Sequence, residues 1–182
     1  MTPLAICVFC ASSTRIERRH VELAAAAGAE LARRGHSLIT GGATVGSMGA
    51  VASAARAGGA RTVGVIPQGL FDRETPDHGN HELIFTGDMR SRKGEMDLRA
   101  DAFLVLPGGI GTLEELFEIW TARTLGMHDR PIVILDPDGV FEPLRAFMEG
   151  LVETGFARAG VFDAVAWATS VPGAFELLER TA

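Results

Sequence analysis

Short apolar runs alternate with longer stretches of helical periodicity from one end of the chain to the other. Leu4 to Phe9 reads as a first strand, and Arg15 to Arg34 as an Ala-rich helix closed by Gly35. Ser37 to Thr40 is a short strand running into Gly41-Gly42. Ser47 to Ala57 is a helix of small residues ended by Gly58-Gly59. Arg61 to Ile66 is a strand stopped by Pro67, and Gln68 to Asn80 is loop-like. Glu82 to Phe85 predicts a short strand, Ser91 to Ala100 a helix and Ala102 to Leu106 a strand. Leu113 to Gly126 predicts a helix, because Leu113, Leu116, Phe117, Trp120 and Met127 recur at helical spacing. Pro131 to Leu135, Phe141 to Glu153, Phe162 to Trp167 and Pro172 to Arg180 continue the alternation as strand, helix, strand and helix. Such a series predicts an α/β domain spanning residues 1–182, a doubly wound parallel sheet with helices on both faces.

Ligands of such sheets sit at the carboxyl ends of the strands, near the point where strand order reverses. Three polar or Gly-rich loops follow strand ends here. They are Cys10-Ala-Ser-Ser-Thr14, Gly41-Gly-Ala-Thr-Val-Gly46 and Pro107 to Thr112. All three are expected to converge on one ligand. In the third, Gly108, Gly109 and Gly111 precede a helix start, whose free N–H groups and dipole attract anions. Two carboxylates, Glu114 and Glu115, are expected in that helix's first turn, where a loop built only for phosphate would not place them.

Composition narrows the chemistry. The 182 residues carry a net charge of −6, against a nucleic-acid or anionic-membrane surface. No apolar run approaches the ~18 residues of a membrane span, and no basic leader precedes Leu4, so a cytoplasmic protein is expected. Lys93 is the only lysine, and tyrosine is absent. Cys7 and Cys10 form a C-x-x-C without a second ligand pair. Buried reduced thiols are expected rather than zinc or a disulfide framework, and no metal is expected. His78 and His81 likewise lack a third ligand. They read as solvated side chains or part of a lid.

The usual nucleotide fingerprints are missing. The position that would complete G-x-G-x-x-G after Gly109 is Glu114, and Lys93 follows Arg92 rather than a Walker glycine. Instead, Pro107-Gly-Gly-Ile-Gly-Thr-Leu-Glu-Glu115 matches a PGGxGTxxE motif, and Met89-Arg-Ser-Arg-Lys93 matches an MxxRK element. Together they resemble the LOG family, cytokinin riboside 5′-monophosphate phosphoribohydrolases, many of which carry the label "lysine decarboxylase-like". Ala11 departs from the glycine that relatives often have.

The resemblance implies a Rossmann-like fold, a homodimer and no cofactor. It also implies hydrolysis of the N-glycosidic bond of AMP or an N6-substituted AMP. It puts the catalytic pair on Arg92 and Glu115. Contacts to a small-molecule nucleotide would come from Glu74, Lys93, Gly108, Gly109, Ile110, Gly111, Thr112, Leu113, Glu114 and Thr121, with Ser12 and Gly42 from the earlier loops.

Each residue also has a plainer reading. Thr112-x-x-Glu115 has the form of a capping box, in which Glu115 would turn back to the Thr112 amide. Glu114 points about 100° away from Glu115 on a helix and reads as a surface acid. Arg92 would offset the nearby acids as a phosphate approaches, or else be a solvated helix-start arginine. Lys93 is an ion-pair, phosphate-facing or exposed lysine. Its pyridoxal-phosphate reading lacks a ring partner and a phosphate cup. Ser12 and Ser13 are either helix caps or phosphate ligands. Glu74 is a loop acid, and Thr121 an ordinary helix threonine, unless each reaches the ligand. A non-catalytic carrier or sensor of a nucleotide-like ligand is the alternative function.

Overall fold

The computed structural model describes residues 2–70 and 75–180. Seven strands form one parallel sheet: β1 (Ala5–Phe9), β2 (Ser37–Thr40), β3 (Thr62–Pro67), β4 (Glu82–Thr86), β5 (Ala102–Val105), β6 (Ile132–Leu135) and β7 (Ala166–Ala168). Their spatial order is β4-β3-β2-β1-β5-β6-β7. The chain winds outward from β1 to β4, then returns to the far side of β1 to start β5. The order reverses between β1 and β5, and there the carboxyl ends of two neighbouring strands diverge into separate loops.

Among the described residues six α-helices cover the sheet: α1 (Arg18–Arg33), α2 (Gly46–Ala57), α3 (Met89–Arg99), α4 (Ile110–Thr124), α5 (Glu142–Glu153) and α6 (Val171–Arg180). The apolar faces of α1, α2 and α6 meet Ile6, Val8, Leu38 and Leu104 on one side. Those of α3, α4 and α5 meet Cys7, Phe9, Ile39 and Phe103 on the other. Strands buried on both faces have no polar side to show. This is why β1, β5 and β6 appear in the sequence as unbroken apolar runs. The edge strand β4 is only half buried, and its Glu82 pairs with Arg61 and Arg99. Charge on an edge strand discourages pairing with another chain.

Most boundaries shift by one or two residues from those the sequence pattern predicts, and three shift by three or more. The first helix begins at Arg18 rather than Arg15. The fourth begins at Ile110, three residues before Leu113. Phe162 to Ala164, expected in the last strand, belong to a 3-10 helix (Ala159–Ala164), and β7 starts at Ala166. The cause of the last shift is a local apolar contact. Phe162 meets Trp120 edge-on with ring centroids 6.4 Å apart, so its burial comes from α4. A short apolar run has the same appearance whether a sheet or a helix buries it.

Helix α1 ends on a charged cluster that ties it to the C-terminal helix. Arg34 bonds Glu30 at 2.7 Å and Glu179 at 2.6 Å. Hydrogen bonds from Arg33 and then Arg34 overcome the cost of burying Glu30 and lower its pKa from 4.5 to about 2. A depressed folded-state pKa stabilises the protein above the unfolded value and loses that contribution as pH falls through the folded one. Acid unfolding should therefore draw on Glu30 between about pH 4.5 and 2. Glu30→Gln should flatten the stability profile in that window and leave its shape at neutral pH unchanged, as urea titrations at stepped pH would reveal.

Candidate active site

The loops after β1 and β5 face each other across the reversal point and enclose a cleft of about 350 Å³. That lies within the ~300–1,000 Å³ range of small-molecule sites. Cys10, Ala11, Ser12 and Ser13 form one wall. Gly109, Ile110, Gly111 and Thr112 form the other, with Arg92 and Glu115 in the lining. The loop after β2 enters beneath the first wall. Gly46 has φ +60°, and a Cβ there would come within 2.7–2.9 Å of Ser13 O, Ala11 O and Ser12 C. The Met48 amide also bonds Ala11 O at 3.1 Å. The three loops therefore meet, as their places at strand ends suggested.

The fourth helix begins in the cleft wall. Its N-cap is Gly109, in extended conformation and without a side-chain cap bond. Thr112 is thus the third helical residue and not the cap, so the capping box, the plainer reading of Thr112 and Glu115, does not form. For the same reason Glu114 and Glu115 are in the second turn, and the first turn carries no acid. This helix start, with its unpaired N–H groups and the positive end of its dipole, lies in the cleft wall. None of Gly108, Gly109 and Gly111 has a positive φ. Gly108 is required by contact instead: an added Cβ would overlap Thr112 Oγ1 and lie 2.6 Å from Thr112 Cβ. At Gly109 and Gly111 an added Cβ meets nothing within 4 Å, so these positions leave backbone open for close approach.

Arg92 is 4% exposed, which excludes a solvated helix-start arginine. It lies on α3, the crossover between the two halves of the sheet. Its Nε donates to Val65 O at 3.1 Å, and Nη1 lies 3.8 Å from Met89 Sδ. Glu115 is 8% exposed and one turn inside α4. The two charges enter the cleft from opposite sides of the reversal point. Glu114 points elsewhere: Lys93 pairs with it and, at 2.7 Å, with Glu118. Burial works against the Lys93 ammonium, but the two carboxylates outweigh it and raise the pKa.

A second cavity, of about 700 Å³, adjoins the first and shares Glu115 with it. Lys93, Glu114 and Thr121 line this space rather than the cleft, together with Phe9, Phe117, Leu125, Met127 and His128. Gly42 and Leu113 line neither. Gly42 has φ +76°, and its carbonyl accepts from the Asp77 amide at 2.8 Å, a turn role. Leu113 packs into the core beneath α4. Ser12 lines the cleft, and neither it nor Ser13 caps α1, whose N-cap is Glu17. Glu74 lies outside the described residues. His78 is exposed, and His81 Nδ1 accepts from the Thr62 amide at 3.2 Å. His128 escaped the sequence reading because it stands alone between loop residues. Its ring Nε2 donates to Ile119 O at 3.0 Å, and burial lowers its pKa.

Both cysteines are free and buried. Burial first, and then the charge of Glu115, push both thiols far above the ordinary thiol range. Neither is a thiolate at neutral pH. Ellman's reagent should therefore titrate no thiol in the native protein and both thiols in denaturant. A fast-reacting native thiol would contradict this burial.

A sequence profile for the family described as "possible lysine decarboxylase" matches residues 48–178. A cytokinin riboside 5′-monophosphate phosphoribohydrolase of Mycobacterium tuberculosis is 55% identical over 152 residues, 83% of this chain and 80% of that protein. The chain belongs to the LOG family. A probable member from rice is 40% identical over 96% of this chain and 72% of its own length. Among solved structures, a molybdenum cofactor binding protein from Rippkaea orientalis superimposes with a TM-score of 0.75. It covers 99% of this chain and 98% of its own at 22% identity, which establishes a shared fold. The LOG-type motif thus surrounds the cleft at the sheet's reversal point. No helix among the described residues is long and apolar enough to cross a membrane.

Proposed function

We propose that the protein hydrolyses the N-glycosidic bond of AMP or an N6-substituted AMP, releasing the free base and ribose 5-phosphate. The observation that carries this reading is a buried carboxylate and a buried guanidinium, Glu115 and Arg92, lining one cleft with an uncapped helix start. The naming of relatives at 40–55% identity as phosphoribohydrolases supports the same reaction.

Each part has a task. The amides at Gly109 to Thr112 and the Ser12 loop bind the phosphate, where the dipole favours negative charge. As the C–N bond lengthens, its electron pair moves to the purine and positive charge builds on the ribosyl carbon. Glu115 stabilises that charge and accepts a proton from the incoming water, whose hydroxyl bonds to the anomeric carbon. The proton balance closes on the departing base. Arg92 stays charged throughout, because its pKa exceeds ~12, so it positions the nucleotide and does not donate a proton. Its charge also offsets Glu115 as the phosphate enters. Lys93 on α3 and Glu114 and Thr121 on α4 line the second cavity and not the phosphate cleft. In this reading they bound the space reached by the base end of the ligand, or by a ligand shared with a second copy in a homodimer.

A pyridoxal-dependent decarboxylation is disfavoured by Lys93 itself. Schiff-base formation needs a neutral amine, and two carboxylates hold this ammonium charged. A cofactor carrier on the same fold would bind a phosphorylated ligand without turnover. Incubation with AMP and with isopentenyl-AMP, followed by chromatography of the products, separates these readings. Free base and ribose 5-phosphate in equal amounts are expected. Folded protein that binds either nucleotide without releasing base would overturn the hydrolase assignment.

A further inference from the structure

Gly41 follows the last residue of β2 and is buried. Its backbone is not in the left-handed region, unlike that of its neighbour Gly42. A positive φ therefore does not explain the glycine. Contact does. A Cβ built at Gly41 would overlap Arg92 Nη2, lie 2.7 Å from Arg92 Cζ and sit 3.0 Å from Met48 Cε. The Arg92 guanidinium occupies the place where a side chain would begin.

The seat of Arg92 therefore has two halves. On one, Val65 O accepts from Nε at 3.1 Å. On the other, the bare Cα of Gly41 lets Nη2 pass. We propose that Gly41 is a positioning residue for Arg92: its missing side chain sets how deeply the guanidinium lies in the cleft. The inference rests on the role given to Arg92 in the proposed hydrolysis. It applies to Gly41 and not to Gly42, whose added Cβ would meet the backbone of Gly64 and Val65.

The atoms displaced by an alanine at Gly41 are the far end of a flexible side chain. The fold can admit the methyl group by moving Arg92, at the expense of the bond to Val65 O. A misplacement of about 1 Å in a positioning group can cost ~100-fold in rate. Gly41→Ala should thus lower kcat roughly 100-fold.

The test compares the wild type, Gly41→Ala, Arg92→Ala and the double variant, by base release from AMP and by thermal unfolding. With Arg92 shortened, the methyl group has room, so Gly41→Ala should cost nothing further in kcat or in Tm. Coupled residues are non-additive in this way, whereas a glycine needed only by the fold would give costs that multiply. Should Gly41→Ala fail to fold while the double variant folds, the clash with Arg92 is established directly. Wild-type kcat in Gly41→Ala, multiplying losses, or unfolding of both proteins that carry Gly41→Ala would overturn the proposal. Failure of the functional reading looks different, because the wild type then releases no base. In that case the Tm comparison still decides whether Gly41 seats Arg92.

Discussion

Glu115→Gln should reduce kcat by roughly 10³ while leaving the protein folded, the middle of the range for loss of a general base or a charge-stabilising group. The substitution keeps the size of the side chain, removes the charge and exchanges one acceptor oxygen for an amide donor. Glu115 is 8% exposed in the wall between two cavities, so the ribosyl cation would meet it with little intervening water. Electrostatic stabilisation is larger in such a setting than in solvent. The amide matches the carboxylate in size, so the variant should still fold and unfold cooperatively. Steady-state base release with the Tm of both proteins checks the two halves together. Activity within tenfold of wild type would remove Glu115 from the chemistry. The earlier alternative for this residue, a capping box on Thr112, is excluded by the Gly109 N-cap. Loss of activity in the glutamine variant therefore cannot be ascribed to a lost cap.

Trp120→Ala should do the reverse, lowering stability by about 3–5 kcal/mol while sparing the chemistry of molecules that remain folded. Trp120 is on the same helix as Glu115 and is 1% exposed. Its ring stacks on Phe117 with centroids 6.0 Å apart and meets Phe162 edge-on. Its Nε1 donates to Val161 O at 2.8 Å. Truncation leaves a cavity and an unpaired carbonyl, and nearby side chains are already held in place by other contacts. Urea unfolding should show the loss as a lower midpoint. Trp120 lines neither cavity, so kcat per folded molecule should stay within a few-fold of wild type. A stability loss below about 1 kcal/mol would mean that the site collapses to fill the gap. The two variants divide α4 into a face that serves the cleft and a face that serves the core.

Much of this site is legible in the linear chain because its motif is local. Pro107 to Glu115 spans one strand end, one turn and one helix start, so its order in sequence is nearly its order in space. Met89 to Lys93 marks a second local unit. What is not legible is which way each side chain turns. Arg92 and Lys93 are adjacent in sequence, yet Arg92 enters the cleft against Val65 and Gly41, while Lys93 turns to Glu114 and Glu118. Successive helical residues point about 100° apart, and only packing decides which one meets the cleft. Gly41 and Gly42 separate in the same way, one yielding to a side chain from α3 and the other making a turn.

Fold class, family and the two motif segments that line the cleft were all readable along the linear chain. Apolar periodicity and strand-end loops are properties of neighbouring residues, and neighbours stay neighbours when the chain folds. The rest was settled by packing in three dimensions. It set the helix start at Gly109, removed the capping box, and gave the motif glycines their purpose as contact and open surface rather than unusual backbone angles. It also split the expected ligand residues between two cavities. Those outcomes depend on groups far apart in the chain coming within a few ångströms. Gly41 and Arg92, separated in sequence by α2, β3, β4 and their loops, are the clearest case. Steric exclusion acts over a single bond length, and no spacing of residues along the chain records it.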